Sequence, residues 1–282
     1  MEEGVLYVVA TPIGNLRDLS PRALDVLRQV DLIAAEDTRV TQKLLSSFQI
    51  LTKTISLREH NERREAERIV ELLRAGKSVA QVSDAGTPAV SDPGALLVDI
   101  VREAGLRVVP IPGCSAVVTA LSASGFTQPQ FLFAGFLPAK TGHRRKALEA
   151  LLDAPYSLVF YEAPHRIEEC LVDLLTVFGP ARRVVLAREL TKAFETIHRC
   201  TLGEVAAWFA GDANQTRGEF VVVVEGAPAA EASHEIDPEA LRVLQILLKD
   251  LPVKQAATLT AEISGANKKQ LYDAALKLRE GD

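Results

Sequence analysis

Four clusters of acidic and basic residues stand where apolar runs begin or end. Glu36-Asp37-Thr38-Arg39 follows the run 32–35, and Glu162-Ala163-Pro164-His165-Arg166 follows 157–161. Arg188-Glu189-Leu190-Thr191-Lys192 follows 183–187, while Thr216-Arg217-Gly218-Glu219 precedes 220–224. Carboxylates and cations at strand ends bind polar substrates, orient water or carry protons. The competing role is helix capping, because Asp37-Thr38, Asn61 and Glu162 also stand near helix starts. Capping suits Asn61 better; for Glu36, Arg39, Arg188 and Glu189 we favour function. The five histidines show no metal-ligand spacing, and only His60 and His165 have suggestive neighbours.

A second kind of signal lies in three loops rich in proline and glycine. The longest is Ser83-Asp84-Ala85-Gly86-Thr87-Pro88-Ala89-Val90-Ser91-Asp92-Pro93-Gly94, set between an apolar run and a helical pattern. Glycine permits sharp turns there and proline stiffens them. Thr11-Pro12-Ile13-Gly14-Asn15 follows the run 5–10, and Pro112-Gly113-Cys114-Ser115-Ala116 follows 107–111. Strand, breaker-rich loop, helix is the layout in which α/β proteins hold ligands at the carboxyl ends of strands. One such loop is weak evidence; three in one half of the chain imply a shared pocket.

Absences narrow the chemistry. No two glycines stand at i and i+2, so the dinucleotide fingerprint is missing, and GxxxxGK, HExxH and GxSxG do not occur. P-loop NTPase, zinc protease and α/β-hydrolase readings fall away. Cys114, Cys170 and Cys200 form no CxxC pair, which argues against a structural zinc site or a disulfide framework and for a reducing cytoplasm. The acidic start and strand-sized apolar runs suggest neither a secretory signal nor a membrane span. With 24% charged residues and a net charge of −5, the chain is no general polyanion binder. Local basic patches remain at Arg63-Arg64, His143-Arg144-Arg145-Lys146 and Lys268-Lys269.

These residues need elements to position them. Strand patterns at 5–10, 32–35, 78–82 and 107–111 alternate with helical ones at 20–30, 38–48, 61–75 and 92–104. Such alternation predicts a mainly parallel sheet covered on both faces. Breakers at 124–130 suggest a boundary, after which strands at 131–136, 157–161, 183–187 and 220–224 alternate with helices near 144–152, 164–177 and 202–209. The expected organisation is an α/β domain over 1–124, a second over 125–226, a small-residue linker over 227–236 and a helical domain over 237–282. The last has a helix-turn-helix flavour; a cap, a dimer contact or an RNA-reading module would all account for it.

Taken in order, Thr11-Pro12-Ile13-Gly14-Asn15-Leu16, Ala35-Glu36-Asp37-Thr38-Arg39, the 83–94 loop, Pro112-Gly113-Cys114-Ser115-Ala116, Glu162-Ala163-Pro164-His165-Arg166, Arg188-Glu189-Leu190-Thr191-Lys192 and Arg217-Gly218-Glu219 resemble a known family. It is the small-subunit ribosomal RNA methyltransferases of the tetrapyrrole methylase superfamily, and the resemblance runs along essentially the whole chain. It implies two α/β domains with S-adenosylmethionine in the cleft between them, a small helical domain, and a homodimer. It also implies methylation of a cytidine ribose 2′-hydroxyl in the decoding region of 16S ribosomal RNA. The first and third loops depart from those of tetrapyrrole-binding relatives, which points away from a corrin-type substrate.

Carried onto this chain, the resemblance assigns the cofactor to Pro12, Asp84, Gly86, Thr87, Gly113, Ser115 and Ala116, completed by Tyr161 or Glu162. Asn15, Arg39, Arg144, Arg145 and Arg188 are the expected substrate contacts. Glu36, Glu189, Lys192 and Glu219 are the candidates for taking the hydroxyl proton, with none preferred. No metal is expected, and the partner is 16S ribosomal RNA in the small subunit, not a membrane. A tetrapyrrole-type methylase on the same scaffold and a non-catalytic ribosome-binding factor remain the alternatives.

Overall fold

The computed structural model describes residues 2–228 and 237–280. Its first strands and helices are β1 (Val5–Val9), α1 (Pro21–Gln29), β2 (Leu32–Ala35), α2 (Thr38–Ser47), β3 (Thr54–Ser56), α3 (Glu62–Arg74), β4 (Val79–Val82), α4 (Ala95–Glu103), β5 (Arg107–Ile111) and α5 (Ala116–Ser124). Then come β6 (Phe131–Phe136), α6 (Thr141–Glu149), β7 (Ser157–Glu162), α7 (Ile167–Phe178), β8 (Arg183–Arg188), β9 (Thr196–Thr201), α8 (Val205–Gly211) and β10 (Phe220–Val224). Everything to Gly226 forms one compact unit, and residues from Ala227 form another. The expected linker at 227–236 lies, beyond residue 228, outside the described residues.

The first sheet has the order β3-β2-β4-β1-β5, and all its pairings are parallel. Alternation along β1 explains its two cores. Val5, Tyr7 and Val9 join Ala23, Val26 and Leu27 of α1 on one face, while Leu6 joins Ile69, Leu73, Leu97 and Val101 of α3 and α4 on the other. Each fully buried aliphatic side chain of this kind is worth about 1.5–3 kcal/mol. Ser20 caps α1 by accepting from the Ala23 amide at 3.1 Å, with Pro21 at the first helical position. Asn61, by contrast, does not cap α3: its side chain turns back to the Arg58 amide and the Ser56 carbonyl.

The second sheet, β6-β7-β10-β8-β9, is mixed. β6 and β7 run parallel, but β10 is antiparallel to both neighbours and β8 pairs antiparallel with β9. A mainly parallel arrangement therefore holds for the first sheet only. Two strands carried too little pattern to be seen in advance: β3 is three residues long, and β9, mostly polar, lies at a sheet edge. Helix α5 follows the first sheet yet buries Val117 and Ala120 against Val159, Val185, Val221 and Val223 of the second. That shared cluster locks the loops of both sheets into one body.

The carboxyl-terminal unit consists of α9 (Pro238–Leu247), α10 (Val253–Ser264) and α11 (Lys268–Glu280). Ala240, Leu244, Ala256, Ala257, Leu271 and Ala275 close its core. Small residues at these positions let the helices approach closely.

Candidate active site

The three proline- and glycine-rich loops follow β4, β1 and β5, which are adjacent strands, so their tips meet at one sheet edge. Direct bonds tie them together. The backbones of Thr11 and Gly86 exchange two hydrogen bonds, of 2.8 and 3.1 Å. The Thr11 hydroxyl donates to the Ser83 carbonyl at 3.1 Å, and the Thr87 hydroxyl to that of Cys114 at 3.0 Å. A reciprocal pair brings in the end of β2: Glu36 accepts from the Asp84 amide at 3.1 Å, and Asp84 accepts from the Asp37 amide at 3.0 Å. These carboxylates hold loops in place. Ala89 and Ser91 have φ values of 68° and 65°, the backbone strain that concentrates at ligand sites.

The second sheet contributes from the facing side. Because β10 runs antiparallel, its first residues lie beside the last residues of β7 and β8: Phe220 pairs with both Glu162 and Arg188. Glu219 thereby meets Glu189. Lys192 Nζ donates to Glu189 Oε1 at 2.9 Å and Glu219 Oε2 at 3.0 Å, and the Glu219 amide donates to Glu189 Oε1 at 3.0 Å. Gly218 is required here, since at φ +91° a Cβ would lie 2.5 Å from the Glu189 side chain. Burial pushes the Glu189 carboxyl up, but Lys192 and the Glu219 amide outweigh it and hold it below its usual range. Burial likewise opposes the Lys192 ammonium, and the two carboxylates outweigh it and keep the lysine charged. The Glu219 side chain is 78% exposed.

Between the two sets of loops lies a cavity of about 520 Å³. Ile13, Val90, Ala187 and Leu190 give it apolar walls, Phe136 and Tyr161 aromatic ones, and Ser115, Asp92, His165 and Glu219 polar groups. A register shift in β6 at Gly135, where φ is +65°, turns Phe136 toward Tyr161, with ring centroids 5.7 Å apart. The Ser115 hydroxyl makes no capping bond to α5. Burial, then the nearby Glu36 carboxylate, pushes the Asp92 carboxyl up to about 6. A carboxyl so placed in a cleft marks a functional site.

The tetrapyrrole (corrin/porphyrin) methylases match residues 5–206, and the RsmI C-terminal HTH domain matches residues 234–279. Over 281 residues the chain is 54% identical to ribosomal RNA small subunit methyltransferase I of Pseudomonas aeruginosa, covering 100% of this chain and 99% of the relative. The chain belongs to the tetrapyrrole methylase family. The like-named protein of Escherichia coli O157:H7 is 51% identical over 98% of this chain and 96% of its own. Among solved structures, uroporphyrin-III C-methyltransferase of Thermus thermophilus, complexed with S-adenosylhomocysteine, superposes with a TM-score of 0.54 at 18% identity. That match spans 78% of this chain and 96% of the other, and it speaks for the fold.

As a member of this family, the chain needs a cavity that suits a sulfonium nucleoside, and its donor set fits one. A sulfonium is a soft cation, favoured by the Asp92 carboxylate and by aromatic faces such as Tyr161 and Phe136. The apolar walls suit a purine, and the cavity volume is in the range of small-ligand sites.

The methylase scaffold distributes the expected site residues unevenly. Gly86, Thr87, Ser115, Ala116, Tyr161, Glu162 and Glu219 line the cavity, whereas Pro12, Asp84 and Gly113 fall outside its lining. Gly113 packs so closely that a Cβ would lie 2.9 Å from that of Ala10. Glu162 is buried in an ion pair with Arg166 at 3.2 Å. Glu36 lies outside the lining, its carboxylate on the Asp84 amide. Asn15 accepts from the Arg17 amide at 3.1 Å, and Arg39 pairs with Asp37 at 2.5 Å in the open.

Two expected substrate contacts are overturned. Arg144 is 0% exposed, with Nε 2.6 Å from Asp173 and further bonds to the carbonyls of Pro138 and Ala139. It offers no surface to an RNA. Arg188 is also buried, and it spends its whole fork on the carbonyls of Arg217, Phe194 and Asn214 and the Thr196 hydroxyl. Arg145 keeps an exposed flank but bonds to Asp173 at 2.6 Å. For Arg144 a basic sequence patch hid a buried carboxylate partner 29 positions along the chain, and for Arg188 a strand-end cluster hid backbone carbonyls that fold back over it. Ile13, Asp92, Phe136 and His165 line the cavity without having been singled out for it. Asp92 and Ile13 lay inside loops already suspect, while Phe136 ended an ordinary-looking strand.

Proposed function

We propose that this protein is an S-adenosylmethionine-dependent methyltransferase of ribosomal RNA whose target is a cytidine ribose 2′-hydroxyl in the decoding region of 16S ribosomal RNA. The bound cofactor supplies an electrophilic methyl on a sulfonium. The work left to the protein is to align the attacking oxygen with that methyl and to accept the hydroxyl proton. The observation that carries this reading is the Glu219 carboxylate, exposed at the cavity edge and backed by a charged lysine.

Four proton acceptors suggested themselves, and their surroundings separate them. Glu36 is occupied with a loop amide. Glu189 is held below its usual range by Lys192 and the Glu219 amide, Lys192 is held protonated, and neither lines the cavity; Glu219 shares the Lys192 bond but lines the cavity and is 78% exposed. Glu219 is the remaining candidate. In the proposed step its carboxylate takes the 2′-hydroxyl proton while the oxygen–carbon bond forms and the carbon–sulfur bond breaks. Lys192, 3.0 Å from Glu219, steadies the oxygen's developing negative charge. General-base help of this kind is worth about 10²–10⁴-fold.

Full-length relatives bearing the ribosomal RNA methyltransferase name support the RNA substrate. The acidic net charge favours a structured particle over bare RNA, with a nucleotide splayed out of its stack. The small ribosomal subunit, a cytoplasmic setting and a homodimer complete the proposal, and light scattering tests the last. Among the described residues no helix is long and apolar enough to cross a membrane. The decisive experiment incubates subunits from cells lacking this protein with labelled S-adenosylmethionine and maps 2′-O-methylation in 16S ribosomal RNA. A new methylated cytidine in the decoding region is expected; label elsewhere, or none, overturns the proposal.

A further inference from the structure

A second cavity, of about 720 Å³, opens on the other side of the Glu189–Lys192–Glu219 cluster. Consecutive residues divide between the two cavities. Ala187, Leu190 and Glu219 line the first, while their chain neighbours Arg188, Glu189 and Gly218 line the second. The partition is thus one backbone thick, and it carries the proton acceptor argued above. It is also strained, with φ of 51° at Glu189 and 65° at Thr191.

The second cavity is a built one. The buried Arg188 fork ties its two rims together through the carbonyls of Phe194, Asn214 and Arg217, at 2.8–3.0 Å. Two of its carboxylates are occupied in holding turns: Glu195 accepts from the Thr191 amide at 2.6 Å, and Asp212 from the Asn214 amide at 2.8 Å. That leaves aromatic surface. Phe194 is 76% exposed at the rim, and Trp208 in the wall is stacked on His198 with ring centroids 4.5 Å apart and planes 5° from parallel. An exposed phenylalanine beside a stacked pair is a platform for a base, and exposed Arg217 at the mouth can meet a phosphate.

We infer that this second cavity receives the splayed-out base of the target nucleotide, so that its ribose lies across the partition with the 2′-hydroxyl at Glu219. The inference rests on the ribose-methylating reading and adds to it the subsite that holds the acceptor. The geometry requires both cavities to be filled at once, donor on one side of the wall and base on the other.

The test uses the full-length protein with small subunits lacking the modification. Ala193 is exposed and lines the second cavity, so Ala193→Trp should plug it. Methyl transfer by A193W should fall at least about 100-fold, while S-adenosylmethionine affinity by calorimetry stays within about twofold. Phe194→Ala should raise KM for subunits about tenfold, the loss expected for one stacking partner, and Phe194→Tyr should restore it. Wild-type rates in A193W and F194A, or equal losses in F194A and F194Y, would overturn the inference alone. Absence of transfer by the unsubstituted protein would overturn the functional reading and this inference with it.

Discussion

The two sheets of the amino-terminal unit hold their loops by different means. At the first sheet the tips are small and mostly neutral, tied by backbone exchanges between Thr11 and Gly86 and by the hydroxyls of Thr11 and Thr87. At the second sheet they are charged: Arg166 with Glu162, Arg188 with four oxygens, Lys192 with Glu189 and Glu219; a further buried pair, Arg144 with Asp173, joins α6 to α7. A cradle of small residues, with Asp92 as its lining carboxylate, approaches a nucleoside closely. A charged one orients proton donors and acceptors, at the cost of desolvating them. On the function proposed above, cofactor holding falls mainly to the first sheet, with Phe136 and Tyr161 of the second completing the walls, and proton handling falls to the second.

The assignment can be broken at several points. Arg144→Ala should be the most damaging, costing about 3 kcal/mol of stability; Asp173 stays buried, although Arg145 still reaches it. Chemical denaturation measures this, and a loss below about 1 kcal/mol would mean that the buried pair does not hold the second sheet's helices. Glu219→Gln should lower kcat about 100-fold with S-adenosylmethionine affinity unchanged. Equal losses in both would place Glu219 in the cradle instead. Gly113→Val should do the reverse, separating the loop from Ala10, destabilising by about 1–3 kcal/mol and weakening cofactor binding more than kcat.

The smallest effect concerns Asp92. Because its carboxyl is raised from 3.8 to about 6, the fold favours the protonated form. The stability this lends is complete below the ordinary value and disappears as pH rises through 6. Asp92→Asn should therefore flatten the pH dependence of stability across that window and stabilise the unliganded protein above it by about 1 kcal/mol, a figure reduced for the partly hydrated carboxyl. Compared with the unsubstituted protein, the same variant should lose affinity for the cationic cofactor above pH 6 and little at pH 5, because only ionised Asp92 attracts it. A pH-independent affinity difference would remove Asp92 from the sulfonium's surroundings.

Much of the scaffold could be read without coordinates. Hydrophobic runs of four to six residues between amphipathic patterns located eight of the ten strands, and Ser20-Pro21 marked a helix start. What escaped was short or sat at an edge: β3 and β9 bury too little to impose alternation. Among site residues, those in proline- and glycine-rich loops were found most easily, because backbone constraints leave a local signature. Arg144 misled for the opposite reason. A run of four basic residues looks like a solvated helix face, and the carboxylate that buries one of them lies 29 positions away.

Local chain chemistry was enough to specify the well-buried strands, the three stiffened loops and the family motifs, since each depends on neighbours within a dozen residues. Which loops converge, and which charges remain free once they have, depends on strand order and direction. Placing β1 between β4 and β5 gathers three distant loops at one edge, and reversing β10 carries Glu219 to Glu189. Those outcomes come from packing two sheets through α5 into a single body, a balance of long-range contacts that no short window of the chain contains.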